Sequence, residues 1–329
     1  MPRPIICPET GRPVYGRHDG PVTINLKDFH LRSAMGRPVP GWFQRFKYRQ
    51  FMFFGISDQN FSAGVALADL HFAQQAFFYV KPAAGLPWVH TSAMSLLPAN
   101  PMNPESEFPD FFFQKSGLML HFQKNCLEAR YKDAHLHILL GESPSPLRLC
   151  TRTGWRGWTF TRKAASIPAS GSFRCHNVHR DLSPETCRAL TDRTCGILRR
   201  ETFWNWAAAT GILASGEDFG MNLAWGVNET GFTENRIWIR GMPVNIGPVI
   251  FEVPENRSST PWQIYSEDKS LCLSFTPSWA MTQRVSAGLI ATDFVQNTGF
   301  FSGMIHIRGH APLILSDLPG WTEDHYVRW

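Results

Sequence analysis

The chain has 329 residues, of which 43% are hydrophobic, 13% aromatic and 18% charged. This composition excludes a disordered chain, because it supplies enough apolar side chain for a large core, and the length is sufficient for two domains of ordinary size. The net charge is +5, but the basic residues are scattered and interleaved with acidic ones, so the charge pattern predicts no nucleic-acid partner.

The sequence shows neither a membrane span nor a secretory signal. No apolar run reaches the roughly 18 residues needed to cross a bilayer, and the first residues, MPRPIICPET, include no long apolar stretch. The seven cysteines are odd in number and widely spaced, which favours a reducing compartment over a disulfide framework. We therefore expect a cytoplasmic protein with no transmembrane segment and at most transient contact with a membrane.

The first half of the chain is predicted to form a β domain. Residues 1–45 are rich in turn-forming residues and are predicted to be an irregular lead-in. Residues 46–165 contain short apolar runs of strand length, such as Phe51 to Ile56 and Leu118 to Phe122, separated by turn signals. The segment Lys81 to Pro109, with its many prolines, is predicted to be a long loop.

The second half repeats this strand rhythm after a connecting segment. Residues 166–200 are predicted to be a linker with a short helix, for which Ser183 is a suitable N-cap and Pro184 a suitable first residue. Residues 201–329 are predicted to be the second β domain, in which Asn228 to Gly231 forms a turn. Short turns between successive strands favour antiparallel meanders over βαβ units.

The two halves share similar segments in the same order. The segment Phe51 to Gly55 matches Phe203 to Ala207, and Gly64 to Ala68 matches Gly220 to Ala224. Further matches follow in order, and the spacing between partners drifts as loop insertions would make it drift, which indicates an internal duplication. The alternative is chance reuse of glycine, leucine and aromatic alternation in β strands.

Titratable and polar groups are concentrated in the second copy. The replacements are Asn205 for Phe53, Asn222 for Ala66, Glu234-Asn235 for Gln74-Gln75, and Glu323-Asp324-His325 for Phe160-Thr161-Arg162. This asymmetry predicts that the second domain carries the functional site.

The acidic residues and the histidine of this copy are candidate acid/base groups. Glu323 and His325 lie two residues apart on a predicted strand, so they point to the same face and the carboxylate can hold the imidazole. Glu234 supplies another carboxylate whose pKa would rise in apolar surroundings. The catalytic candidates are therefore Glu323, His325, Glu234 and Asp324. The alternative is that these groups tie down turns and strand ends by hydrogen bonds.

Tryptophans and asparagines of the second domain are candidate ligand contacts. Flat aromatic walls suit a polyene, terpenoid, sterol or fatty acyl chain, and a few polar groups would orient its polar end. The alternative is that the tryptophans fill the core. The ligand-binding candidates are Trp204, Asn205, Trp206, Asn222, Trp225, Asn235, Trp238, Trp321 and Arg328.

No metal ion or cofactor is predicted. The residues nearest in type to a zinc site, but without a standard zinc spacing, are Cys175, His176, His179, Cys187 and Cys195. His135 and His137 share one face of a predicted strand, but no cysteine or carboxylate accompanies them in the sequence. There is no GxGxxG between a strand and a helix and no GxSxG elbow, so neither dinucleotide redox chemistry nor serine hydrolysis is indicated.

The chain contains the motifs WNWAAATG, GMNLAWGVNETGFTEN, LSFTP, QNTGFFSG and GWTEDHYVRW. In these it resembles the bacterial domain-of-unknown-function family 2804, most strongly from Trp204 to Trp329. That family is akin to the double-calycin group, which includes carotenoid hydratases, kievitone hydratase-like proteins and fungal cyclases. The resemblance implies an all-β protein with two lipocalin-like (calycin) antiparallel β-barrel domains from an internal duplication. It implies no established reaction, and the residues that carry over as motif positions are Glu234, Asn235, Glu323, Asp324, His325 and Arg328.

Together these features predict a protein that binds a hydrophobic small molecule, such as a lipid, polyene or terpenoid, in a β-barrel pocket. We expect it to convert this molecule by cofactor-independent acid/base chemistry, that is, by hydration, isomerisation or cyclisation. Two alternatives stay open. One is a non-catalytic lipid carrier, and the other is a structural or interaction protein whose aromatic residues are all core.

Overall fold

The computed structural model describes residues 2–227, 231–288, 290–309 and 311–329, without the side chain of residue 287. The predicted turn at Asn228 to Gly231 falls on residues 228–230 and so lies outside the described residues. Helices in the described residues are limited to a 3₁₀ helix, Leu26–Asp28, and α1, Gly41–Lys47. None of them is long and apolar enough to cross a membrane.

Strands form most of the chain. The N-terminal segment holds β1 Arg3–Pro4, β2 Ile6–Cys7, β3 Arg12–Pro13, β4 Gly16–Arg17 and β5 Val22–Thr23. The next strands are β6 Tyr48–Ser57, β7 Phe61–Asp69, β8 Ala73–Pro82, β9 Val89–Leu96, β10 Phe111–Lys115, β11 Leu118–Gln123, β12 Cys126–Tyr131, β13 Ala134–Leu140, β14 Leu147–Thr153, β15 Gly157–Cys175, β16 Val178–Leu182 and β17 Arg188–Ile197. The remaining strands are β18 Glu201–Ile212, β19 Asp218–Trp225, β20 Arg236–Ile239, β21 Met242–Asn245, β22 Val249–Glu252, β23 Trp262–Ser266, β24 Leu271–Ala287, β25 Ile290–Ile305 and β26 Leu313–Arg328.

The first large sheet is an antiparallel meander that returns to its first strand. Its main path runs β10-β11-β12-β13-β15-β17-β6-β7-β8-β9. Of the strands on this path, β6 comes first in the chain and β17 last, and these two strands pair. The edge strands β9 and β10 approach each other. The sheet is therefore a near-closed barrel, in which few strand edges stay unpaired.

The second large sheet follows the same plan. Its order is β21-β20-β19-β18-β26-β25-β24-β23-β22, so the first strand of this half, β18, again pairs with the last, β26. Strand β22 approaches β19 across the gap. The prediction of two antiparallel, barrel-like β domains with a shared topology is confirmed.

Individual residue matches between the halves are nevertheless out of register. Phe53 pairs with Ala66 across β6 and β7, whereas Asn205 pairs with Trp225 across β18 and β19, three residues away from Asn222. An odd shift moves a side chain to the other face of a sheet. Asn205 and Asn222 therefore lie on opposite faces, although their predicted counterparts are direct partners.

Residues 166–200 differ from the predicted linker with a short helix. They contain the second part of β15 together with β16 and β17, all paired within the first sheet. The predicted helix is a turn, in which the Cys187 N–H donates to the Ser183 carbonyl. The reason is tertiary, because β17 is buried along its whole length between β15 and β6.

Two other segments also contain more structure than predicted. The predicted loop Lys81 to Pro109 includes β9, which pairs with β8 and alternates between more buried and more exposed residues. The predicted irregular lead-in ends in α1, where the Gln44 amide donates to the Leu26 carbonyl and is buried. Local turn signals were therefore outweighed by pairing and packing partners.

Side-chain alternation fills the interior of both barrels. In β6, Met52 and Phe54 are fully buried within the first core; in β18, Ala207 and Ala209 are fully buried within the second. Because successive residues of a strand point to opposite faces, the intervening side chains, such as Trp206, point away from the barrel interior.

The outer faces of the two barrels pack against each other. The Phe53 ring of the first domain contacts Trp206 edge-to-face at 5.6 Å between centroids and Trp321 at 6.1 Å. The Tyr79 hydroxyl donates to Gln296 Oε1 of the second domain at 2.9 Å. These aromatic residues belong to one buried cluster drawn from both sheets. The domain interface is therefore a separate apolar layer, and it positions the candidate site.

Candidate functional site

A cavity of about 60 Å³ lies between the two domains, on the outer faces of both barrels. Phe53 and Leu198 of the first domain and Trp206 and Val227 of the second are among its mostly apolar lining. The sequence predicted a β-barrel pocket in the second domain, but this cavity lies outside both barrels, whose interiors contain clusters of apolar side chains. The charged side chains that line the cavity are Lys163, Asp192, Glu234 and Glu323.

Lys163 lines this cavity and joins the two domains. Its ammonium Nζ lies 2.6 Å from Asp192 Oδ2 of the same domain and 3.0 Å from Glu234 Oε2 of the second domain. The side chains of all three residues are at most 6% exposed. Buried charges are retained when they are paired and hydrogen-bonded. The positive charge of Lys163 thus compensates the buried carboxylates of Asp192 and Glu234.

The strand pattern explains how these charges meet. Ala164 on β15 and Ala189 on β17 point into the first barrel core, so Lys163 and Asp192 point outward, toward the second domain. Lys163 and Asp192 are direct partners across β15 and β17. Glu234 lies just before β20, and its carbonyl accepts from the Asn222 amide at 2.8 Å.

The charge balance of the cluster perturbs proton binding. Burial raises the pKa of Asp192 to about 6, and the negative charges of Glu234 and Glu323 add to this rise, against the opposing attraction of Lys163. Burial alone would lower the pKa of Lys163, but the attraction of Asp192 and Glu234 outweighs it and the pKa is raised. The Lys163 ammonium is thus shared between the carboxylates of Asp192 and Glu234. Because its pKa is raised, Asp192 is able to take up a proton near neutral pH.

Glu323 is held on both carboxylate oxygens. The Trp204 indole N–H donates to Oε1 at 2.7 Å, and the Gln296 side-chain amide donates to Oε2 at 3.0 Å. Gln296 in turn accepts from Tyr79 of the first domain, whose pKa burial raises well above its usual value. Glu323 is therefore oriented directly by Trp204 and Gln296, and indirectly by Tyr79 through Gln296. The Glu323 side chain also lines the cavity.

His325 lies beside Glu323 but is not held by it. Its Nδ1 is 3.7 Å from Glu323 Oε1, which is longer than a hydrogen bond. The Nε2 atom instead pairs with Thr292 Oγ1 at 2.9 Å, and the ring packs on Trp204 and Phe294 with centroid distances of 4.3 and 4.8 Å. The predicted carboxylate–imidazole pair shares one face, but it forms no direct hydrogen bond.

Asp324 and Asn205 lie on the opposite face from Glu323. They are direct partners across β18 and β26, and the Asn205 amide donates to Asp324 Oδ1 at 2.8 Å. Arg257 binds Asp324 Oδ2 at 2.7 Å and Asp293 at 2.9 Å. These two candidates therefore belong to an ion-pair network at the second barrel, and not to the cavity.

Four of the predicted residues line the cavity: Glu323, Glu234, Trp204 and Trp206. Asn222 supports two of them, because it accepts from the Trp206 indole N–H at 2.8 Å and donates to the Glu234 carbonyl. His325 does not line the cavity, but its ring contacts the Trp204 ring.

The other predicted ligand contacts have structural surroundings. Trp225 is 51% exposed and packs on Phe203. Asn235 is buried and bonds only to backbone, at Ala224 and Gly247 among the described residues. The fully buried indole of Trp238 donates to the Ser145 carbonyl of the first domain. Two further residues outside the cavity lining are Trp321, fully buried against Phe53, and Arg328, which donates to the Gly288 carbonyl.

Sequence reasoning missed the first-domain half of the site. Lys163 and Asp192 are not among the predicted residues, because the asymmetry between the two copies indicates a site in the second copy only. A signal was present in β17, RALTDRTCGI, where charged residues interrupt a segment of strand length. Charged residues in a buried strand need partners, and this need could have identified Asp192.

Comparison with known proteins places the chain in a family. The family model described as "Domain of unknown function (DUF2804)" matches residues 6–329. No curated protein sequence is significantly similar to the chain. A structure of a protein described as an AttH from Nitrosomonas europaea aligns with 85% of this chain and 92% of its own, at 13% identity and a TM-score of 0.52. Kievitone hydratase from Nectria haematococca aligns with 85% of this chain and 88% of its own, at 9% identity and a TM-score of 0.51. These low identities show a common fold only, whereas the match along almost the whole sequence shows that the chain belongs to the DUF2804 family.

Proposed function

We propose that the protein is a cofactor-independent enzyme that converts a hydrophobic small molecule by acid/base chemistry in the cavity between its two domains. The observation that carries this proposal is the buried set of Lys163, Asp192 and Glu234, which lines a mostly apolar cavity together with Glu323. A place where apolar walls meet a few convergent titratable groups is typical of a site for chemistry on an apolar substrate.

The two acid/base roles fall to different carboxylates. Asp192, with its pKa raised to about 6 by burial, can hold and donate a proton near neutral pH. Glu323 is oriented by Trp204 and Gln296 and can accept a proton. In a hydration, Asp192 would protonate one carbon of a C=C bond, water would add to the other carbon, and Glu323 would take the proton that the water loses. Isomerisation would use the same donor and acceptor without the water.

The size of the cavity limits what it can hold. About 60 Å³ accommodates a few water molecules, whereas a whole drug-sized ligand needs roughly 300 Å³ or more. We therefore propose that only the reacting end of the substrate enters, and that its apolar remainder lies over the partly exposed Leu198, Val227 and Trp329.

The fold is compatible with water addition, because one structure of the same fold is that of a hydratase. Each of the seven cysteines lies in the described part of the chain and is a free thiol, and we place the activity in the cytoplasm. A lipid or terpenoid substrate would reach the protein by transient contact with a membrane.

A non-catalytic carrier is the second candidate function. The mostly apolar cavity favours it, as does the engagement of Lys163 with Asp192 and Glu234, which would tie the domains together without any reaction. The small cavity argues against it, because a carrier has to enclose most of its ligand.

The test compares Glu323, which lines the cavity, with its neighbour Asp324, which points to the opposite face of the strand. Purified protein is incubated with a hydrophobic extract of host cells in H₂¹⁸O or D₂O, and products are followed by mass spectrometry. Hydration incorporates ¹⁸O, whereas isomerisation incorporates deuterium only. We expect conversion to fall roughly 10²-fold or more in Glu323→Gln and Asp192→Asn, and to persist in Asp324→Asn, the matched control.

Two results would contradict the proposal. A compound that co-purifies in native mass spectra but is never converted would identify a carrier. Equal conversion by Glu323→Gln, Asp192→Asn and the unchanged protein would remove the carboxylates from the chemistry. Circular dichroism of each variant separates loss of activity from loss of folding.

A further inference from the structure

A second group of potential ligands lies on the outer face of the first barrel, on the hairpin formed by β12 and β13. Leu127 and Ala129 of β12 and Ile138 of β13 point into the core. By alternation, Cys126 and Glu128 point outward from β12, and His137 points outward from β13. Glu128 and His137 are direct cross-strand partners. The sequence contains no short-range motif here, because the two strands bring the residues together only after pairing.

The donor atoms of these three side chains converge. The Cys126 sulfur, a Glu128 carboxylate oxygen and a ring nitrogen of His137 all lie within 4.8 Å of one another. Cys126 Sγ is 3.4 Å from His137 Nε2. In a tetrahedral zinc site, Zn–S is about 2.3 Å and Zn–N about 2.0 Å, so the two donors are roughly 3.5 Å apart. The observed separation therefore already fits a shared ion.

We propose that Cys126, Glu128 and His137 bind one zinc-class divalent cation, with a solvent molecule as fourth ligand. A thiolate, an imidazole and a carboxylate together favour Zn²⁺ over the harder Mg²⁺ and Ca²⁺. The three side chains are partly buried, so the site is accessible from solvent and still supported by the sheet. Regular strands hold ligands more firmly than loops do.

Binding would change two interactions at this site. The Glu128 carboxylate accepts from Arg130 Nη2 at 3.1 Å, and the Arg130 side chain is 53% exposed, so this contact can be exchanged for a metal bond at small cost. The Cys126 thiol would lose its proton to become a thiolate ligand, and the proton would leave to solvent. The site is separate from the cavity, because none of its residues contributes to the cavity lining.

A second cluster consists of Asp133, Cys175 and His176, whose potential ligand atoms also lie within 4.8 Å of one another. Its geometry is less favourable, because His176 Nδ1 pairs with Asp133 at 2.6 Å while the Cys175 sulfur is 4.0 Å from that carboxylate and directed at the Trp88 carbonyl. This cluster supplies the internal comparison for the experiment.

The experiment titrates the full chain, reduced and freed of metal, with Co²⁺. A thiolate–Co²⁺ bond gives a near-ultraviolet charge-transfer band, and Zn²⁺ should displace it at one equivalent. We expect Cys126→Ser to abolish the band. His137→Gln and Glu128→Gln should weaken Zn²⁺ binding by roughly 10-fold or more, because each removes a direct ligand, and even loss of a group that only orients a ligand typically costs about 10- to 100-fold in affinity. The matched controls are Cys272→Ser, an exposed thiol elsewhere, and His135→Gln, the outward histidine two residues away on β13.

Three results would overturn the proposal. The first is the absence of a thiolate band in the unchanged protein. The second is a band that survives Cys126→Ser but is lost in Cys175→Ser, which would assign the metal to the cluster of Asp133, Cys175 and His176. The third is equal weakening by His135→Gln and His137→Gln, which would indicate adventitious surface binding. Circular dichroism confirms that each variant is folded.

Discussion

Lys163 of the first domain donates to Glu234 of the second at 3.0 Å, and both side chains are at most 5% exposed. A buried ion pair across a domain boundary is strongly orientation-dependent, because either charge alone would be costly to bury. The two barrels are thus fixed in one relative arrangement at the point where the candidate chemistry lies. The proposed chemistry and the domain packing would therefore depend on the same side chains.

Replacement of Lys163 by methionine should strongly destabilise the protein. The change leaves Asp192 and Glu234 buried without their counter-charge, and removal of one partner of a buried pair typically costs about 3–5 kcal/mol. Urea denaturation at neutral pH measures the free energy of unfolding. Lys115→Met, at an exposed position of β10, should change it by less than about 0.5 kcal/mol. An equal effect of both variants would contradict a buried role for Lys163.

Asp192 should make stability depend on pH in a defined direction. Its pKa in the folded state is raised to about 6 from 3.8 by burial, so the folded protein binds this proton more tightly than the unfolded chain. The resulting stabilisation is complete below pH 3.8 and is lost as the pH rises through about 6.

The comparison that checks this uses Asp192→Asn. The difference in free energy of unfolding between the unchanged protein and this variant should fall by on the order of 3 kcal/mol as the pH rises across that window. Glu142→Gln, at an exposed position, should give a curve parallel to that of the unchanged protein. A constant difference between the unchanged protein and Asp192→Asn would show that the pKa of Asp192 is not raised.

Gly55 is a contact point between the domains, and alanine should not fit there. A Cβ atom would lie 2.9 Å from the Trp321 ring and 3.1 Å from Leu190. Overpacking of this kind typically costs about 1–3 kcal/mol, and we expect a lower Tm in thermal denaturation. Gly20→Ala is the control, because nothing lies within 4 Å of its new methyl group. Equal melting of the two variants would mean that the barrels can shift apart freely.

Trp206 and Trp225 should differ sharply although they lie on neighbouring strands. Trp206 is 4% exposed and packs on Phe53, so Trp206→Ala should cost about 3–5 kcal/mol. Trp225 is 51% exposed, and Trp225→Ala should cost less than about 1 kcal/mol. Urea denaturation of both variants tests the assignment. A larger loss of stability in Trp225→Ala than in Trp206→Ala would show that the opposite face of this sheet is the buried one.

The sequence by itself determined the strands and the two-domain plan. Runs such as Leu118 to Phe122 have the length and alternation of a strand in any compact fold, and turn residues mark their ends. The recurrence of these runs in both halves predicted two β domains, and the family resemblance implied that both are barrels. The strand orders of the two large sheets confirm this. The family resemblance could also be recognised from the sequence alone, because its motifs are short continuous stretches of the second half.

Only the tertiary structure decided which faces of the strands meet and which charges lie together. In Phe51-Met52-Phe53-Phe54 both faces of the strand are apolar, so alternation alone could not show which one fills the barrel and which one forms the domain interface. Lys163 and Glu234 are far apart in the sequence, and no local pattern connects them. Their pairing follows from the packing of one barrel's outer surface on the other, and this depends on long-range contacts that no single stretch of residues encodes.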